Sequence, residues 1–409
     1  VLVVSAGIGA FGMTAGPPPT PVPPSGSLSP FPQTLRTPPP STEAPHPRAA
    51  AAIVVNADTG QVLFGKDAGA PRAIASLTKL MTAIVTVRAR TLSHIVTVSA
   101  EAASQTGSTL GLVEGERISV RSLLSALLLQ SSNDAATALA DDISGSTPAF
   151  VTRMNVRARQ LGLTGTRFAS PNGLDDHGWS TAADLATLTR YALGSADLRS
   201  VMDTKYAVIA NPAGPSRHIQ NRNAMLWLYP GAFGVKTGYT SAAGECLITA
   251  AIRKGRTLVS VVLGDDGDAV FDDSASLLNY GFDAFTRSTV VRRWDPAGSA
   301  RIDGADVQGL AGATLVRLVR SDRLDGLRVV LRARPGISLP VVAGRVIGLA
   351  VVIDHGQMVG SVPAVAAASV LAPPPPPTPA PPRIGPPAPP DGPLGVLLTL
   401  LRSTFGPIL

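Results

Sequence analysis

Apolar and polar positions alternate over Ala52-Ile53-Val54-Val55-Asn56, break at Asp58-Thr59-Gly60, and resume over Gln61-Val62-Leu63-Phe64. Period-two alternation about a glycine turn predicts a β-hairpin. The period then lengthens. A helix is predicted from Ser76 to about Arg90, a leucine-rich buried helix over 120–129, and a further helix from near Asp134. Strands are predicted over 231–237, 246–252 and 257–263, the last two joined by a turn at Arg253-Lys254-Gly255, and a helix over 273–285 follows. Strands on both sides of a helical insert predict an α/β (α+β) sandwich. From about residue 288 the texture changes to short β-branched segments, at 314–319, 327–331 and 346–353, separated by glycines and charged turns. That spacing predicts a smaller all-β domain.

Proline divides the chain. Residues 17–47 hold 13 of the 37 prolines and residues 373–393 hold another 13. Both stretches read as extended linkers that cannot build a core. Ahead of the first, Val1 to Ala15 carries no charge and reads as the apolar part of an export signal or anchor. After the second, Leu394, Leu397, Leu398, Leu401 and Phe405 fall on one helical face. A segment of that length can lie on a bilayer but cannot span one. The expected organisation is 1–48 leader and linker, 49–287 first domain, 288–372 β-rich domain, 373–393 linker, and 394–409 amphipathic membrane anchor.

Composition narrows the function. The net charge of +7 suits an anionic neighbourhood, but basic residues form no block and aromatics are only 4%, so no nucleic-acid-binding stripe is expected. One cysteine, Cys246, excludes an intrachain disulfide and a cysteine metal cluster. The five histidines make no HExxH spacing, so neither metal nor cofactor is expected. No GxSxG is present, which disfavours a Ser-His-Asp hydrolase.

Only five lysines stand against thirty arginines. A position that keeps lysine in such a chain has a use for an ammonium that can lose its proton, which a guanidinium cannot. Lys79 closes Ser76-Leu77-Thr78-Lys79, the only SxxK in the chain. Residues three apart share a helix face. Ser76 at a helix start gains from the dipole as its oxygen becomes negative, and a neutral Lys79 takes its proton. Ser131-Ser132-Asn133 follows the leucine-rich helix. Ser131 can relay a proton to a leaving amine, and Asn133 can orient Lys79 and a substrate carbonyl. Ser170-Pro171-Asn172 matches the same loose pattern, but Ser131 sits between two helices. Lys236-Thr237-Gly238 ends a predicted strand. It offers a positive charge near Lys79, a hydroxyl for a substrate carboxylate, and a bare strand edge. The backbone N–H groups of Tyr239 and Ser76 are candidates for an oxyanion hole.

With these three motifs in order, the sequence resembles the low-molecular-mass penicillin-binding proteins, the serine D-alanyl-D-alanine carboxypeptidases. The likeness extends through Ala75 to Thr82, Leu127 to Ala136, Pro171-Asn172-Gly173-Leu174-Asp175, Gly234 to Thr240 and Leu277 to Phe282. It covers about residues 50–286, and the β-rich stretch and the tail resemble parts that follow in several members. The resemblance implies a serine transpeptidase/β-lactamase-like fold and an exported, extracytoplasmic enzyme of the cell envelope. Its implied partners are a peptidoglycan stem peptide ending in D-Ala-D-Ala, β-lactams as inhibitors, and a membrane surface through the C-terminal helix. Ser76, Lys79 and Ser131 carry the implied catalytic roles, and Asn133, Lys236, Thr237, Gly238 and Tyr239 the substrate-binding ones.

Two departures stand out. The second motif reads Ser-Ser-Asn where the family usually has Ser-Gly-Asn. An arginine that helps hold the substrate carboxylate in several relatives is replaced in the pair Val270-Phe271. A D,D-transpeptidase or endopeptidase on the same scaffold is therefore the alternative. A β-lactamase with a deacylating glutamate is disfavoured, because no glutamate lies between Glu116 and Glu245, and the aspartates Asp175 and Asp176 are shorter and not in that pattern. A non-catalytic wall-binding protein is disfavoured because Ser76, Lys79 and Lys236 are all kept.

Overall fold

The computed structural model describes residues 42–372, except 176, 212–213, 324–325 and 355, and also residue 385. The apolar leader, most of the first linker, the second linker (Gly385 apart) and the 394–409 segment lie outside the described residues. One compact unit takes residues up to 291, 314–328 and 352–360. A second takes 292–313, 329–351 and residues from 361 on.

The first unit is built on a five-stranded antiparallel sheet. Its order is Val62–Lys66, Ala51–Asn56, Arg256–Asp265, Gly244–Arg253 and Ala232–Thr240. The hairpin expected at residues 52–64 forms the first pair. Asn56 shapes its turn by accepting from Thr59 N at 2.8 Å and Thr59 Oγ1 at 3.0 Å, and Gly60 takes a left-handed φ of 75°. The strand Ala51–Asn56 is buried on both faces. Ala51, Ile53 and Val55 join a core with the helical insert, whereas Ala52 and Val54 pack with Leu277, Leu278 and Phe282 of the helix Ala269–Asp283. Side-chain alternation thus joins two apolar cores through one strand, at roughly 1.5–3 kcal/mol for each large apolar side chain buried.

The insert centres on the helix Lys79–Ala89, buried from Lys79 through Thr86. A helix without a polar face belongs in an interior. Its buried hydroxyls are satisfied: Thr82 Oγ1 donates to Pro171 O at 2.6 Å and Thr86 Oγ1 to Thr82 O at 2.8 Å. Helices Asn133–Ser144, Thr147–Gln160 and Ala182–Leu193 surround it.

Several boundaries move. Ser76 lies in a 3₁₀ turn, Ala75–Thr78, and the α-helix begins at Lys79. The leucine-rich helix is α over Val120–Ser125 and becomes a π turn over Ala126–Gln130. The strand expected to end at Thr237 runs to Thr240, so Lys236-Thr237-Gly238 lies inside it. The closing helix starts at Ala269 rather than Asp273.

A second sheet has the order Pro296–Ile302, Ala305–Ala311, Gln357–Ala366, Val346–Asp354 and Arg328–Ala333. The strands Phe285–Val291 and Leu315–Arg320 pair separately. Three strands of the second sheet escaped the sequence pattern because alanines such as Ala297, Ala311 and Ala364 hold their buried positions.

Candidate active site

Ser76 stands at the junction of the 3₁₀ turn and the central helix. The preceding Ala75 takes a φ of 45°, a conformation that costs a non-glycine residue energy. Gly173 (φ +73°) lies so close that an added Cβ would fall 2.0 Å from Ala75 O. On the other side, a Cβ on Gly238 would fall 3.1 Å from Ser76 N and 3.2 Å from Ile74 O and Leu77 N. The serine turn is therefore held between the Pro171-Asn172-Gly173 loop and the sheet's edge strand. Both approaches require glycine for space, the first also for its φ.

Lys79 is completely buried. Its Nζ donates to Ser76 Oγ at 2.9 Å, Asn133 Oδ1 at 2.8 Å and Asn172 O at 2.7 Å. Burial lowers its pKa well below the ordinary lysine value of 10.5. The nearby charges of Lys236 and Arg222 lower it further, while Asp134 works the other way. Two of the three partners are carbonyl oxygens that can only accept, and the third is a hydroxyl that can also donate. A neutral Lys79 can keep its N–H bonds to Asn133 and Asn172 and turn its lone pair to the Ser76 hydroxyl.

Ser131 follows the π turn in a left-handed conformation (φ 69°) and is buried. Among the described residues its Oγ has no hydrogen-bond partner. Asn133 opens the next helix, with Nδ2 donating to Thr106 O at 2.7 Å and its backbone N to Ser108 O at 2.6 Å. Beside it, the buried Asp134 carboxylate accepts from the backbone N of Leu110 (2.9 Å), Gly111 (2.9 Å), Leu112 (3.1 Å) and Ala135 (2.8 Å). These amides fix the 106–112 loop against the second motif.

Lys236 is also buried, and its Nζ donates to Thr237 O at 2.7 Å. Burial first, and Arg222 second, bring its pKa down to about 7. Thr237 pairs with Leu247 and Tyr239 with Glu245 on the neighbouring strand, so the other edge of Ala232–Thr240 faces the serine turn. Tyr239 is exposed.

The structure brings Ser76, Lys79 and Asn133 into one hydrogen-bonded group and lays Gly238 against it. Lys236 acts on Lys79 through charge. Asn172 is in the cluster through its backbone carbonyl, although the sequence favours Ser131-Ser132-Asn133 over Ser170-Pro171-Asn172 as the second motif. Arg222 and Asp134 were not anticipated, and no local signal marks Arg222. At the position of the missing arginine, Val270 is buried in the core shared with the closing helix.

The sheet, its helical insert and the serine–lysine pair define a class, the serine enzymes of transpeptidase/β-lactamase-like fold. The D-alanyl-D-alanine carboxypeptidase family matches residues 39–267, and the chain belongs to that family. It is 37% identical over 284 residues to the D-alanyl-D-alanine carboxypeptidase DacD of Escherichia coli, covering 66% of this chain and 72% of that protein. The carboxypeptidase DacF of Bacillus subtilis is 28% identical over 329 residues, covering 78% and 85%. The crystal structure of DacD from Francisella tularensis superposes with a TM-score of 0.69 at 27% identity, covering 83% of this chain and 97% of that one.

Proposed function

We propose that Ser76 carries the acyl group of a D-Ala-D-Ala carboxypeptidase acting on peptidoglycan stem peptides. The observation that carries this reading is the buried Lys79 amine, 2.9 Å from Ser76 Oγ with its pKa lowered. As Ser76 Oγ attacks the carbonyl carbon of the penultimate D-alanine, Lys79 Nζ takes the hydroxyl proton. The N–H groups of Ser76 and Tyr239 face the oxyanion. As the C–N bond breaks, Ser131 Oγ passes a proton to the departing D-alanine nitrogen, and its own is replaced from Lys79. Asn133 holds Lys79 in place, and Lys236 with Thr237 receives the terminal carboxylate. Water then cleaves the Ser76 ester and restores the hydroxyl. A β-lactam carbonyl enters by the same first step.

The buried Val270 favours a second reading, D,D-transpeptidase or endopeptidase on the same scaffold, because it adds no cation to hold the terminal carboxylate for which strict carboxypeptidase action selects. Family membership argues for an extracytoplasmic, envelope site of action. No helix among the described residues is long and apolar enough to cross a membrane. The membrane-surface role is proposed for the 394–409 segment.

Intact-mass spectrometry during a benzylpenicillin time course tests the acyl site. A long-lived adduct, absent in Ser76→Ala, is expected, with D-alanine released from a stem pentapeptide. No adduct on the folded wild type would overturn the assignment. Acyl transfer to an added amine in place of hydrolysis, or cleavage of a cross-linked stem-peptide dimer, would favour the second reading.

A further inference from the structure

Three cavities follow one another at the end of the first unit's sheet where the turn Arg253-Lys254-Gly255 lies. The first, about 580 Å³, is lined by Lys254, Arg256 and Arg287. The second shares Arg256 and Arg287 and adds Arg317. The third, about 470 Å³, shares Arg317 and adds Arg320 and Arg323. Shared walls make them one groove with six cationic side chains along it.

The charge in this groove is only partly neutralised. Lys254 and Arg287 are exposed, and neither side chain has an ion-pair or hydrogen-bond partner among the described residues. Arg256 donates to the Phe285 and Phe282 carbonyls, both at 2.6 Å, and Arg317 to the Val316 carbonyl at 2.9 Å. Carbonyls fix a guanidinium without cancelling its charge. Only the far end is paired, by Arg320 with Asp322 at 2.7 Å and Arg323 with Asp354 at 3.7 Å. Asp58 and Asp283 are the other acids of the walls, and Asp283 faces Arg253 at 3.6 Å.

We propose that this groove binds a linear polyanion whose phosphate or carboxylate groups recur along the chain, as in an anionic polymer of the cell envelope. Cations distributed along the walls of a groove fit a strand better than a flat bilayer. The groove is separate from the serine cleft. Gly238 pairs with Cys246, and Lys254 lies eight residues further along that strand, about 26 Å away at strand rise. The enzyme would thereby be held on the wall polymer while its cleft stays open to stem peptides.

The test uses long-chain inorganic polyphosphate as probe, with tripolyphosphate and phosphatidylglycerol vesicles alongside, on the full chain. Wild type is expected to bind the long chain much more tightly than tripolyphosphate, weakening with salt. Lys254→Glu with Arg287→Glu removes two phosphate contacts at exposed positions. It should weaken binding at least ~10-fold and reduce the slope of log K against log salt by about 1.4–1.8. Benzylpenicillin acylation should be unchanged in the double variant. That parallel measurement separates failure of the groove from failure of the serine assignment. Undiminished polyphosphate binding by the variant, or binding to vesicles alone, overturns the proposal.

Discussion

The approach of the edge strand to Ser76 sets up a clean perturbation, Gly238→Ala. Gly238 does not need a left-handed backbone, so the methyl tests space alone. The added carbon would meet Ser76 N at 3.1 Å and Ile74 O and Leu77 N at 3.2 Å, where ordinary contact begins at 3.4 Å. All three neighbours are backbone atoms and cannot swing aside. Relief requires strand and turn to separate by roughly 0.3–0.5 Å. Overpacking of this kind costs about 1–3 kcal/mol. A misplacement of ~1 Å at a reacting centre costs on the order of 100-fold in rate. Scaled to the smaller opening, acylation should fall about 4- to 10-fold. The assay is the second-order acylation rate with a fluorescent penicillin, with thermal unfolding in parallel. Gly69→Ala, whose methyl meets nothing within 4 Å, is the control. Acylation within twofold of wild type at an unchanged Tm would show slack between strand and turn. It would refute the claim that Gly238 sets the position of the nucleophile.

Three further outcomes are expected. Acylation requires neutral Lys79, so its rate should rise with pH through the lowered folded-state pKa and level off well below 10.5; Lys79→Arg should lose this limb and ~10²–10⁴-fold in rate, and a limb retained in the variant would assign the titration elsewhere. Ser132 Oγ is buried and has no hydrogen-bond partner among the described residues; Ser132→Ala should therefore stabilise the fold by about 1 kcal/mol with acylation kept, and a loss of stability in denaturant titration would show that the hydroxyl is satisfied. Asp265 is raised to about 7, first by burial and further by Asp273, whose carboxyl also accepts from Ala49 N at 2.9 Å. A carboxyl raised on folding stabilises below its unfolded pKa of about 3.9 and loses that contribution as pH climbs through about 7. Asp265→Asn should raise Tm above pH 7 and flatten its fall between pH 4 and 7, and parallel Tm–pH curves for variant and wild type would refute this.

What could be read from the sequence was what the chain places locally. Ser76 and Lys79 are three residues apart, so one turn brings them together whatever surrounds them. The hairpin at residues 52–64 and the strands near 246–252 and 257–263 were legible because apolar period and glycine turns are local signals. Lys79's third acceptor was not legible, because a backbone carbonyl such as Asn172 O carries no residue-type signature. Nor was the amide cradle of Asp134, three of whose four donors come from a loop 22 to 24 residues away. The same limit hid the Asp265–Asp273 pair and the groove cations, which meet only after strands and helix have packed.

A division of labour follows from that contrast. The atoms proposed to make and break bonds come in short motifs, whereas the influences on their pKa come from distant chain. Lys79 in water would be an ordinary charged lysine. Burial in a core built from residues 51 to 263 and two nearby cations make it a base, against the opposing pull of the Asp134 carboxylate. Substitutions at Arg222 or in the Asp134 cradle should therefore change the pH at which Ser76 reacts more than whether it reacts.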